Sequence, residues 1–159
     1  MKKKSIIILL LIVVFELFIS ICSWADIFID NTDPECSRIG SDWGTRSNPP
    51  WPSYGNNFSF SMTGNGADQA IYSFYVPESG QYEVYAWWPS HPYCSRNTPY
   101  HIPFSDGAVT VRVNQQQNSA QWNLLASGYF EEGEHEIIVS DDASGILVVA
   151  DAVRIISIP

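Results

Sequence analysis

Lysine is absent beyond residue 4 of this 159-residue chain, and no stretch carries a sustained helical period. The catalytic signatures GxSxG, HExxH and CxxC are missing too. The lack of lysine excludes a lysine nucleophile or Schiff base from the body of the protein. The lack of helical period points to an all-β chain. The missing signatures leave no recognisable nucleophile, zinc or redox motif. His91, His101 and His135 lack metal-ligand spacing. There is no internal repeat and no linker-like stretch, so one domain is expected.

What is present begins with an export pattern. Lys2, Lys3 and Lys4 precede an apolar run over residues 6–21, and Ser23-Trp24-Ala25 supplies small residues at the two positions a signal peptidase reads. This predicts a signal peptide over residues 1–25, cleaved after Ala25, and a secreted or cell-surface domain over residues 26–159. A retained anchor is the competing reading, but Glu16 interrupts the run and it is short for a span. Lipidation at Cys22 is another, but Ile21 stands where a small residue is expected. No stable membrane insertion is expected after cleavage.

The whole chain has 8 Lys+Arg and 17 Asp+Glu. Residues 1–25 remove three of the former and one of the latter, which leaves 5 basic and 16 acidic residues, a net charge of −11. The five are Arg38, Arg46, Arg96, Arg112 and Arg154. Such a surface repels phosphate backbones, so nucleic acid is not an expected partner. Two cysteines remain, Cys36 and Cys94. An even count in an exported chain favours one disulfide. Closing that loop would stabilise the fold by roughly 4 kcal/mol in the chain-entropy model. The alternative is two unpaired thiols.

Short alternating segments recur along the domain. They lie near residues 26–30, 58–60, 70–76, 82–88, 109–113, 122–126, 135–140 and 146–158, the last bent or broken near Asp151. Pro77-Glu78-Ser79-Gly80, Glu131-Glu132-Gly133 and Asn65-Gly66 read as turns. Eight or nine strands with such turns predict a single antiparallel β-sandwich of jelly-roll, galactose-binding-like type. Two long loops separate strands, near residues 31–57 and 89–107. Trp122, in step with Leu124 and Ala126, is expected in the core. The Asn114–Asn118 run is expected to be a solvated turn, with a hydroxyl-binding surface as the alternative.

Three strings carry a resemblance: VNQQQN…QWNLL over residues 113–125, YEVYAWWP over 82–89, and ADAVR over 150–154. Together they resemble the carbohydrate-binding-like domain of golvesin-type proteins, also found beside bacterial xanthan lyases. The resemblance spans about residues 28–155. It implies a non-catalytic module that binds polysaccharide or a cell-surface glycan. It places an Arg-Asn pair after WWP, matched here by Arg96 and Asn97. Similar modules hold a structural calcium between their chain ends. Asp30, Asp33 and Asp151 are the matching candidates, although each could instead bond only the backbone. No other cofactor is implied.

The residues offer two surfaces for a glycan. Alternation puts Tyr85 and Trp87 on Glu83's side of a strand, where flat rings beside a carboxylate could stack on sugars. The opposing reading is that the long loops bury them. The loops themselves hold Trp51 and Tyr54, then His91, Tyr93, Arg96, Asn97 and Tyr100. Rigid loops on a sandwich commonly carry binding residues. The net charge favours neutral glycans unless Arg96 or Arg112 lies in the site. A structural or adhesive protein-binding role and a polysaccharide-degrading enzyme are the alternatives.

Overall fold

The computed structural model describes residues 26–158; the expected signal peptide lies outside them. The strands are β1 (Ile27–Asp30), β2 (Cys36–Ile39), β3 (Gly44–Ser47), β4 (Asn57–Met62), β5 (Gln69–Val76), β6 (Gly80–Trp87), β7 (Thr98–Ile102), β8 (Val109–Val113), β9 (Asn123–Phe130), β10 (Gly133–Ser140), β11 (Leu147–Ala150) and β12 (Ala152–Ile158). They form a four-stranded sheet in the order β1-β12-β6-β9 and a five-stranded sheet, β2-β5-β10-β7-β8. A three-stranded sheet, β11-β4-β3, completes the fold. The pairings within them are antiparallel. This is the expected all-β sandwich of jelly-roll type.

Period-two alternation decides what each strand buries. In β6, Tyr82, Val84 and Ala86 are buried, while Glu83, Tyr85 and Trp87 face the other way. Val153 and Ile155 of β12 add to that inner face. Tyr72 and Phe74 of β5 and Ile137 and Val139 of β10 meet them from the five-stranded sheet, and all belong to one hydrophobic cluster. Each large side chain so buried contributes roughly 1.5–3 kcal/mol of transfer free energy. Phe104 follows β7 and lies directly on Gly128 of β9. A Cβ there would come within 2.4 Å of its ring, so only glycine allows the two layers to close at that point.

The last strand breaks where expected. β11 belongs to the three-stranded sheet and β12 to the four-stranded sheet, so Asp151 is the corner at which the chain changes sheets. β12 also pairs with β1, which brings the two ends of the domain together.

Some expectations are corrected. The Cys36–Cys94 disulfide is not formed; both thiols are free. Cys36 is held opposite Tyr72 in the five-stranded sheet. Cys94 bridges to Leu147 of β11, beside the three-stranded sheet. The registers of different sheets therefore fix the two residues independently. Burial pushes both thiols up to about 11, so neither is an ionised nucleophile near neutral pH. Trp122 is half-buried on the outer face, against Phe28, Tyr54 and Trp87, rather than in the core. A register shift opposite Val84/Tyr85 interrupts the β6–β9 pairing, and Leu124 beyond it is exposed.

The Asn/Gln run is a turn with Gln117 and Asn118 exposed and the Asn114 side chain accepting from Gln116 N–H, but it is not solvated throughout. Gln115 is fully buried. Its carboxamide accepts from Val149 N–H at 2.9 Å and from the Thr98 hydroxyl at 2.9 Å, and donates to the Val149 carbonyl at 2.7 Å. One side chain thus satisfies both backbone groups of a β11 residue, as a neighbouring strand would. Gln115→Leu should leave those groups unpaired in the interior and destabilise the fold by about 3–5 kcal/mol, read as a lower denaturant midpoint. A wild-type midpoint would show that the β11 backbone finds other partners.

Candidate functional site

The polar turn also sets the loop that follows β6. Gln116 donates to the carbonyls of Pro92 and Cys94 at 2.9 and 2.8 Å. The Gln117 carbonyl accepts from Trp88 Nε1 and the Ser90 hydroxyl, each at 2.8 Å. Ser95 N–H donates to Leu147 and Leu147 N–H to Tyr93. The 89–95 segment is therefore fixed on both sides, and it presents His91 and Tyr93 beside β4 and β11.

A pocket of about 310 Å³ opens there. Its floor is apolar: Phe58 and Phe60 of β4, with Leu147 and Val149 of β11. Its rim is a chain of flat groups. The Arg46 guanidinium lies 5.1 Å from the Trp51 ring centre, Trp51 lies 4.5 Å from His91, and His91 lies 4.7 Å from Tyr93. His91 Nδ1 accepts from Tyr93 N–H at 3.2 Å, which fixes the imidazole. Tyr93 is 57% exposed, so one ring of the rim is open to a ligand. Gly44 lies against the Phe60 ring; a Cβ would meet it at 2.7 Å. Among the residues lining the pocket there is no carboxylate. The volume is at the lower end for small-molecule sites and the lining is mostly apolar with few polar groups, as such sites require.

The other expected residues fall elsewhere. Trp87 is covered by Tyr54 at 6.0 Å and Trp122 at 5.7 Å, and its buried indole N–H has no partner. Tyr85 donates to Glu83 at 2.6 Å, and burial is secondary to that bond in raising its pKa. Tyr54, Trp87 and Trp122 cover one another, so the loop around Tyr54 closes over the Trp87 end of β6. Tyr100 is in the core, 1% exposed, which removes it from the loop surface to which it was assigned. Arg96 donates to Gln116 at 2.8 Å. Asn97 Oδ1 accepts from Ser144 N–H at 2.8 Å and from the Ser95 hydroxyl at 2.9 Å. Both therefore pin loops. Of the expected set, Trp51, His91 and Tyr93 meet in the pocket. Sequence reasoning missed Arg46, which had no motif to mark it. A shallower depression of about 780 Å³ lies on the outer five-stranded face, but its Arg112 is already paired with Asp142 at 2.6 Å.

With this geometry in place, the comparisons are decisive for kinship. The profile of the Golvesin C-terminal domain matches residues 27–157. The chain belongs to the Golvesin C-terminal domain family. A Paenibacillus xanthan lyase structure matches with a TM-score of 0.76 and 33% identity over 84% of this chain, which spans 13% of the lyase. Family 35 carbohydrate-binding modules are similar in fold. One from Cellvibrio japonicus gives a TM-score of 0.60 at 13% identity, covering 84% of this chain and 94% of the module. One from Clostridium thermocellum gives 0.59 at 13% identity, covering 84% and 99%. No curated protein matches the sequence. The family 35 modules thus share the β-sandwich fold of this golvesin-family chain.

The Asp30, Asp33 and Asp151 set is only partly assembled. Asp151 is 1% exposed and accepts from Tyr54 N–H at 3.1 Å through one oxygen, while its other oxygen has no partner. Asp30 likewise has one buried oxygen without a partner. Asp33 instead accepts from Asp30 N–H at 2.8 Å. No group of three or more His, Cys, Asp or Glu side chains is placed to hold a metal among the described residues. Two uncommitted carboxylate oxygens still suit a hard cation by donor type, with backbone carbonyls and water left to complete its shell. Burial pushes the Asp151 carboxyl up to about 9, helped by the charge of Asp30 and opposed by the Tyr54 N–H. Burial also raises Asp30. In chelated buffer the native state therefore holds a proton that the unfolded chain releases above about pH 4. The stability it confers is full below that value and declines as pH rises towards 9. The thermal midpoint should fall between pH 5 and 8, and Asp151→Asn should flatten that slope. An unchanged slope in the variant would place the proton uptake on another group.

Proposed function

We propose that this domain is an exported, non-catalytic module that binds polysaccharide in the pocket bounded by Trp51, His91 and Tyr93. The observation that carries the reading is the rim of flat groups above an apolar floor, held by the Gln116 side-chain amide and the Gln117 carbonyl. The hydrophobic faces of a pyranose suit aromatic rings, and a preformed rim avoids the entropy of ordering a loop on binding. The xanthan lyase and the family 35 modules support a saccharide as the ligand class. A non-catalytic role fits the absence of carboxylates from the pocket lining, since glycoside hydrolysis ordinarily needs two. Export rests on the basic, apolar and small-residue pattern of residues 1–25.

Calcium is proposed as a structural partner of Asp30 and Asp151. It would tie the first strand, the sheet-changing corner and the Tyr54 turn together without taking part in binding. Adding Ca²⁺ to chelated protein at pH 8 should then raise the thermal midpoint.

A second reading has its own observation. Phe28 is 45% and Leu124 53% exposed beside half-buried Trp122, on a face that reaches both edges of the four-stranded sheet. That surface suits a protein partner or an adhesive contact.

Affinity electrophoresis separates the two readings. In gels cast with neutral or carboxylated bacterial polysaccharides, the protein should be retarded by at least one polymer. Trp51→Ala and Tyr93→Ala should each weaken retardation about tenfold, the loss of one stacked ring. Trp87→Phe should not. Loss with Trp87→Phe and retention with Trp51→Ala would move the site to the outer sheet face. No retardation by any polymer would favour the protein-binding reading.

A further inference from the structure

The pocket's guanidinium identifies the kind of sugar it takes. Four of the five arginines past residue 25 spend their donors inside the protein. Arg38 donates to Thr45 and Ser59. Arg96 donates to Gln116, Arg112 to Asp142 and the Asn97 carbonyl, and Arg154 to Asp26. Arg46 alone makes no side-chain hydrogen bond or ion pair among the described residues, and it is the one on the pocket rim. Its place is set by backbone pairing, since Arg46 sits opposite Phe58 in the β3–β4 register. Its plane is steadied by the Trp51 ring at 5.1 Å. The lining has no carboxylate to neutralise it, although the domain carries 16 acidic residues past residue 25. An exposed arginine in so acidic a protein has ample counter-charge available elsewhere. Here it is instead stacked beside an aromatic rim with its donor fork open.

We propose that the pocket recognises a carboxylated sugar, with Arg46 pairing the carboxylate while Trp51 and Tyr93 hold the ring. This rests on the pocket being the glycan site. A planar guanidinium matches a carboxylate by two parallel N–H···O bonds, a geometry that neither a hydroxymethyl group nor an ester reproduces with equal strength. It reverses the preference for neutral glycans drawn from net charge, because the field at the pocket is set by its nearest charge rather than by the total.

The test uses xanthan, polygalacturonate and alginate, each beside its carboxyl-reduced form, in affinity gels at one fixed ionic strength. At least one acidic polymer should bind about tenfold more tightly than its reduced counterpart, the worth of one charge-assisted pair. Arg46→Gln should bring it to the level of the reduced form. Arg46 is solvent-exposed, so the variant should keep the wild-type thermal midpoint. Arg154→Gln removes the same charge on the four-stranded sheet, away from the pocket lining, and should keep the preference. Equal binding of acidic and reduced polymers would overturn the assignment while leaving the glycan site standing. So would a preference that survives Arg46→Gln, or one lost equally in Arg154→Gln. If Trp51→Ala leaves every retardation unchanged, the pocket itself is not the site and both readings fall.

Discussion

The structure turns on one buried carboxamide. The Gln115 side chain stands where no strand does, and bonds both backbone groups of Val149. Without it, β11 would carry unpaired peptide groups against the core, a cost of about 1–3 kcal/mol for each. Because Gln115 is locked, the residues after it are locked too. Gln116 reaches the carbonyls of Pro92 and Cys94, and the Gln117 carbonyl takes the Trp88 indole N–H. A single polar turn therefore ties β11, the end of β6 and the loop bearing His91 and Tyr93 into one unit. The rim of the pocket is a consequence of that connection. The loop carrying Cys94 is held by these amides, with no crosslink to Cys36.

Much of this fold was legible in the chain. Alternation located β5, β6, β10 and the broken β11–β12 pair, and it assigned the two faces of β6 correctly. It failed where strands are short and polar. β2 (CSRI) and β3 (GTRS) have little apolar period, and they pair only because β4 and β5 present their edges. β7 hid in a segment that reads as loop because of Pro99, so Tyr100 was placed at the surface when its strand buries it. Trp122 was misassigned because alternation cannot reveal a shift in register between paired strands. The Asn/Gln run misled for a different reason. Polarity normally signals solvent, but a buried amide is favourable when every donor and acceptor finds a partner.

The candidate site was half legible. Trp51 and Tyr93 are far apart in sequence and were chosen as loop aromatics; the fold brings both to one rim. Arg46 was indistinguishable from the other arginines until their partners were known. Its significance lies in what the others do, and only three-dimensional contacts supply that. Asp151 shows the converse. ADAVR marked it as a special position, but its burial and its uncommitted oxygen explain why a carboxylate at a sheet corner is unusual. The acidic total bears on the expected repulsion of nucleic acid, while the proposed recognition depends on a few groups that the total conceals.

The most direct test of the account is which tryptophan a glycan touches. Five tryptophans lie past residue 25: Trp43, Trp51, Trp87, Trp88 and Trp122. Their indole N–H signals can be followed by heteronuclear NMR during titration with oligosaccharides cut from a polymer that retards the protein. The account predicts that Trp51 shifts progressively and saturably while Trp87, Trp88 and Trp122 stay in place. Saturable movement of Trp87 and Trp122 with Trp51 unmoved would contradict it, and would put the sugar on the outer face of the four-stranded sheet.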